Sequence, residues 1–193
     1  MSNASNQGDQ GLATIQPASV DDASAIAELH GRSFLATYPE LLRTREATLR
    51  GSDERVALWT SRLQDSRAGS EVFVAHEDEG LCGFVYTGPT ADTDDAATRT
   101  GQVYSIHVDP MSQGAGIGSE LLDAALAFLL ASGLEDVTLW VVTTNLQARR
   151  FYEACGFRLD GARRDEVLAL GTAEGDRVDV VRYRRQLGAG GNL

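Results

Sequence analysis

The sequence predicts an α/β chain: a mixed sheet flanked by helices. Three observations carry this. The spacing of apolar residues switches from helical to alternating and back along the chain, short β-branched runs interleave with amphipathic stretches, and 193 residues suit one domain better than two. Residues 1–10 read as a flexible lead-in, 11–187 as a single domain and 188–193 as a flexible, glycine-rich tail.

Each element follows from its own residues. Leu12 to Ile15 forms a short strand candidate stopped by Pro17. From Val20 onward, Ile26, Leu29, Phe34 and Leu35 recur at helical spacing, with Asp21 or Asp22 suited to cap the start. A second helix is expected from Ser52 to Gln64, where Val56, Trp59 and Leu63 share a face. Glu71 to His76 and Leu81 to Thr87 are strand-like runs around the acidic turn Glu77–Gly80, which predicts a hairpin. Gly88 to Gly101 is polar and reads as a mobile loop. Gln102 to Val108 is a strand closed by Asp109-Pro110. Gly118 to Ala131 is a strongly apolar helix, and Val137 to Val142 barely alternates, which predicts a strand buried on both faces. Asn145 to Cys155 is a short helix with Gly156 placed as its left-handed cap. Arg158 to Leu170 and Arg177 to Gln186 read as a closing antiparallel pair.

Composition excludes several chemistries. Hydrophobic residues make up 42%, too many for a disordered chain, and no apolar run approaches the roughly 20 residues of a membrane span. The first residues lack the basic start and apolar stretch of a secretory signal, so a cytoplasmic location is expected. Seventeen basic residues against 28 acidic ones give a net charge of −11, a surface that repels nucleic-acid backbones. All 17 basic residues are arginines. Without lysine there is neither a Walker-type phosphate lysine nor a Schiff-base amine. Cys82 and Cys155 form no C-x-x-C pair, and His30, His76 and His107 lack zinc-ligand spacing, so no metal is expected.

The chemistry concentrates in Val103-Tyr-Ser-Ile-His-Val-Asp-Pro-Met-Ser-Gln-Gly-Ala-Gly-Ile-Gly-Ser119. A strand ends, the chain turns, and a glycine-dense loop enters a helix. The first N–H groups of a helix lack internal partners, and its N-terminus carries roughly half a positive charge. Glycines 114, 116 and 118 let the backbone approach a bound group closely, so a pyrophosphate is the natural occupant. A Rossmann fingerprint would need glycine where Ser119 stands.

The remaining pattern, Gln113-x-x-Gly116-x-Gly118, resembles the acyl-CoA loop of the GCN5-related N-acetyltransferase (GNAT) superfamily. Asn145-x-x-Ala148-x-x-Phe151-Tyr152-Glu153-x-x-Gly156-Phe157 is similar to the helix and strand that follow in that family. Specific motifs cover about residues 102–158, and element order extends the likeness over most of the chain. The resemblance implies a mostly antiparallel sheet with helices on both faces and acetyl transfer from acetyl-CoA to the primary amine of a small molecule. A protein acetyltransferase and a non-catalytic acyl-CoA-binding module are the alternatives. The implied partners are acetyl-CoA and an amine, with no metal, nucleic acid or membrane; a homodimer stays open.

The same resemblance implies the site. The backbone of Ile106, His107 and Val108 would hold the pantetheine arm beside a strand splayed near Val141. The N–H groups of Gln113, Gly114, Ala115, Gly116, Ile117, Gly118 and Ser119 would hold the pyrophosphate, and Asn145 would bond the pantetheine region. Tyr152 would also touch the cofactor and serve the departing thiolate: a phenol, pKa about 10, sits above a thiol near 8.5. Where the family often places a basic Glu or His, this chain has Gln102 and Tyr104. Gln102 cannot titrate; Tyr104 is a catalytic candidate, and a water chain to a distant carboxylate is an equal alternative. Strict alternation puts Tyr104 on one face with Ile106 and Val108, and His107 on the other as a partly exposed strand histidine. Phe34, Tyr38 and Trp59 are candidates to line the acceptor pocket, with core packing expected for at least two. Core packing is also expected of Phe151 and Cys155. The acidic runs at Asp92 to Asp95 and Glu77 to Glu79 read as solvated loops.

Overall fold

A computed structural model describes residues 13–41, 51–64, 69–168 and 175–188. The strands are β1 (Thr14–Pro17), β2 (Glu71–Glu77), β3 (Gly80–Pro89), β4 (Thr100–Val108), β5 (Asp136–Val142), β6 (Arg158–Leu168) and β7 (Asp176–Gln186). The helices are α1 (Ala23–Thr37), preceded by a 3₁₀ turn at Val20–Asp22, then α2 (Ser52–Gln64), α3 (Ile117–Ala131) and α4 (Leu146–Ala154).

Among the described residues the strands form one sheet in the order β1-β2-β3-β4-β5-β7-β6. Every neighbouring pair is antiparallel except β4 and β5, which run parallel. Helices cover both faces, as expected. On one face Leu121, Leu122, Leu126 and Leu129 of α3 pack with Val85, Val137 and Leu139. Burial of each such leucine contributes roughly 1.5–3 kcal/mol, so this stripe anchors the helix that follows the glycine loop. On the other face Ile26 and Leu29 of α1 and Trp59 of α2 pack on Val74 and Phe84.

Local chemistry refines the boundaries. The first strand lies later than its apolar residues suggest, and Pro17 belongs to it because β1 is an edge that needs no N–H there. The expected start at Leu12 and the expected end of the last hairpin strand at Leu170 lie outside the described residues. The Asp22 carboxylate accepts bonds from the Ser19 N–H (2.7 Å) and hydroxyl (3.1 Å), so it folds back on the residue before the turn.

Two readings need correction. Residues 90–99, expected as a mobile polar loop, are fastened to the sheet, with Thr90 and Asp92 buried. The Ala91 N–H donates to the Gln102 side-chain carbonyl (3.0 Å). Arg182 of β7 donates to Asp92, Asp94, Asp95 and Asp160 at 3.2, 2.8, 3.1 and 2.6 Å. The acidic run is therefore the counter-charge of a nearly buried arginine, a relation between residues 87 to 90 apart in sequence.

The second correction concerns β4. Tyr86 pairs with Ser105 but Thr87 with Val103, so Tyr104 is an extra, bulged residue. One extra residue reverses the alternation. Tyr104 lies against Tyr86 (ring centroids 4.7 Å), and His107 stacks on Phe84 (5.2 Å). Tyr86 and Phe84 belong to the α1/α2 face, whereas Ile106 and Val108 pack on the α3 face. Tyr104 thus shares its face with His107.

Candidate active site

β4 and β5 pair only at Thr100–Asp136, Gly101–Val137 and Gln102–Thr138, after which they diverge. The splay opens a cleft of about 740 Å³ lined by residues 103–108 of β4 and 140–142 of β5. Gln113, Gly114, Gly116, Ile117, Gly118 and Ser119 line one end. Asn145 and Tyr152 line its wall, so the structure brings together every residue implied for the site except Ala115. Ala115 is exposed on the loop but does not line the cleft, because the left-handed glycines on either side turn its side of the loop outward.

Gly114 and Gly116 have φ of 88° and 91°, and Gly116 is the residue from which α3 starts. Among the described residues, the amides of Ser119 and Glu120 bond the Gly116 carbonyl, while those of residues 113–118 have no acceptor. Six consecutive free donors at a helix N-terminus make an anion cradle. Nothing lies within 4 Å of a Cβ built on Gly116, so only the backbone demands glycine there. Gly116→Ala is expected to cost about 1–2 kcal/mol of strain. It should weaken binding of a diphosphate-bearing ligand several-fold by tilting the donors; thermal melts and calorimetry on the variant check both.

The other side chains are held from neighbouring elements. The Asn145 amide oxygen accepts from the Ala148 N–H (3.0 Å) and so caps α4, while its NH₂ donates to the Tyr38 hydroxyl (3.0 Å). Tyr38 carries its phenol pKa above the ordinary value because of burial, partly offset by that bond. Tyr152 packs between Phe151 and Phe157 (5.1 and 5.9 Å), and burial pushes its phenol up strongly. Its hydroxyl has no hydrogen-bond partner among the described residues. Tyr104 donates to the Pro89 carbonyl, and Gln102 is occupied by Thr90 and Ala91, so neither presents a base to the cleft without breaking a bond.

The cleft mouth contains residues that sequence reasoning left out. Trp140 donates to Asp92 (2.9 Å), and the Arg164 guanidinium lies 4.1 Å over its ring; Arg164 and Glu166 line the opening. On α1, His30 and Ser33 reach the cleft with Phe34 and Tyr38. His30 follows Ile26 and Ala27 at helical spacing, a signal that would have placed it on the inner face. Trp59 is fully buried beneath, a core residue rather than a lining one.

The model of the acetyltransferase (GNAT) family matches residues 26–157. The chain belongs to the GNAT family. It is similar to the mycothiol acetyltransferases of Sanguibacter keddieii (36% identical, covering 71% of this chain and 40% of the relative) and Acidothermus cellulolyticus (32%, covering 76% and 44%). The chain spans less than half the length of those relatives. An uncharacterized N-acetyltransferase of Bacillus subtilis, YuaI, is 29% identical over 81% of this chain and 91% of its own length. Among solved structures, the PaiA N-acetyltransferase of Thermoplasma acidophilum, determined with coenzyme A, has a TM-score of 0.70 at 17% identity, covering 90% of this chain and 98% of that one. A GNAT phosphinothricin acetyltransferase of Sinorhizobium meliloti, determined with AcCoA, has a TM-score of 0.67 at 23% identity, covering 94% and 91%. These share the GNAT fold. Among the described residues no helix is long and apolar enough to cross a membrane.

Proposed function

We propose that this GNAT chain transfers the acetyl group of acetyl-CoA to a primary amine of a small molecule by direct attack on the thioester, acting in the cytoplasm. The observation that carries this reading is the continuity between the free amides of residues 113–118 and the unpaired edge of β4 beyond Gln102. A diphosphate on the loop would lead a pantetheine arm between β4 and β5, where backbone groups of Ile106 to Val108 can bond it. An amide near Val108 would polarise the thioester carbonyl. The thioester then faces Tyr152 on one wall and His30, His107, Tyr104 and Tyr86 on the other. Supply of coenzyme A needs no metal in this arrangement, because the backbone amides provide the positive field.

The amine lone pair forms a C–N bond to the thioester carbon, the C–S pair leaves on sulfur under a hydrogen bond from the Tyr152 hydroxyl, and the proton lost by the amine nitrogen passes through a base and solvent to the thiolate. Trp140 and Arg164, held by Asp92 and lining the cleft, are the acceptor-side residues of this reading.

Calorimetry with acetyl-CoA and thiol release with glucosamine, tyramine, spermidine and free amino acids test the reading. Binding together with amine-dependent thiol release is expected. Binding without release over the whole panel would instead indicate an acyl-CoA-binding module, and no binding would overturn the assignment.

A further inference from the structure

We infer that His107 is the base that takes the proton from the attacking amine, with Ser33 as the residue that positions it. This rests on the acetyl-transfer reading above.

The two places on β4 where a base was expected are both spent: the Gln102 amide holds residues 90 and 91, and the Tyr104 hydroxyl donates to Pro89. The bulge at Tyr104 sets the face of β4 from there onward, and it turns His107 toward α1. There the His30 and His107 rings stand 4.6 Å apart, and both line the cleft.

Hydrogen bonding separates their roles. Trp59 Nε1 lies 3.3 Å from His30 Nδ1, and an indole N–H can only donate. His30 therefore accepts at Nδ1 and carries its proton on Nε2, which makes it a donor toward the cleft. Burial, then any charge on His107 and the Arg62 and Arg55 guanidiniums of α2, hold its pKa well below the ordinary value, so it stays neutral. His107 Nδ1 lies 2.5 Å from the Ser33 hydroxyl oxygen. That contact suits either tautomer; the role of base assigns the proton to Nδ1, donated to Ser33, which leaves the lone pair at Nε2. Neither Nε2 has a hydrogen-bond partner among the described residues. Nor is either a sealed orphan, because the only fully enclosed unpartnered side-chain nitrogen or oxygen among those residues is His76 Nε2.

The chemistry matches. As the amine attacks, its nitrogen becomes cationic and far more acidic than the free ammonium. One of its protons passes to His107 Nε2, giving an imidazolium that keeps its Nδ1–H bond to Ser33, while sulfur departs with the C–S pair under a hydrogen bond from the Tyr152 hydroxyl. The imidazolium passes its proton through solvent to the thiolate, which leaves as the free thiol, and the enzyme is restored. Burial lowers the His107 pKa to about 4, so the ring is unprotonated and available throughout the neutral range.

The test uses the full chain, acetyl-CoA and the best acceptor of the panel above. H107Q is expected to lower kcat about 100-fold with acetyl-CoA affinity by calorimetry unchanged within threefold. H107A should regain part of that rate with added imidazole. S33A, which removes no ring, should lower kcat about tenfold and leave the KM for acetyl-CoA in place. Turnover within threefold of wild type in a folded H107Q, or in S33A should H107Q fail to fold, overturns the assignment of the base alone. A wild-type chain that releases no thiol with any amine overturns the acetyl-transfer reading and this inference with it.

Discussion

Tyr152→Phe is expected to lower kcat about 100-fold while leaving acetyl-CoA affinity and melting temperature close to those of the wild type, the loss typical of removing a positioned proton donor. The ring itself is structural: it is 8% exposed and packs edge-on against Phe151 and Phe157. Phenylalanine keeps that packing and removes only an oxygen without a partner among the described residues. Burial raises the phenol pKa, so the hydroxyl remains protonated at every working pH and can always donate. A departing thiolate, with an ordinary pKa near 8.5, would be stabilised by that donor as charge develops on sulfur. Any charge on Tyr38 would disfavour the Tyr152 phenolate further. Steady-state thiol release and calorimetry on the variant separate the two contributions. An unchanged kcat would remove Tyr152 from the chemistry, and a large loss of acetyl-CoA affinity would make it a binding residue instead.

Elements whose logic is local were legible in the sequence. The α3 stripe and the Gly156 cap lie within single segments, and the structure places both where period and residue type put them. The glycine loop was legible for the same reason, since free amides and left-handed φ are properties of consecutive residues. What failed was tertiary. The bulge at Tyr104 has no signature in its own residues; it exists because β3 and β4 pair out of step, and one inserted residue exchanged the faces of the most chemical strand. Asp92, Asp94 and Asp95 looked like a solvated run because the arginine that neutralises them is about 90 residues downstream (Asp92 and Arg182 are 90 apart). Ser33 and His107 meet over a separation of 74 residues, a distance that no spacing rule spans.

That arginine carries the last large effect. Arg182→Met keeps the length and apolar stem of the side chain but removes the charge. In the wild type its side chain is 7% exposed, against 4% for Asp92 and 14% for Asp95 and Asp160. Removing the cation leaves these carboxylates together with Arg164 and Arg184 as their remaining partners, and Arg164 is itself shared with Glu166. Unpairing buried charge in this way costs about 3 kcal/mol, and in a chain of this size about 9 °C in Tm. The pH dependence follows from Asp94, whose carboxyl is held below its ordinary value first by the bond from Arg182. A depressed folded pKa contributes stability above the unfolded value, about 3.9, that is lost as pH falls through the folded one. The Asp94 contribution, small because that carboxylate is largely exposed, should therefore be present at pH 7 and lost below about pH 4, leaving most of the gap between wild type and variant in place. Function should follow stability, since Asp92 also positions Trp140 and Arg164 at the cleft mouth. In the folded variant the KM for the amine is expected to rise more than kcat falls. Equal melting temperatures at pH 7 would mean that solvent screens the cluster in spite of its burial, and an unchanged amine KM would detach residues 90–99 from acceptor recognition.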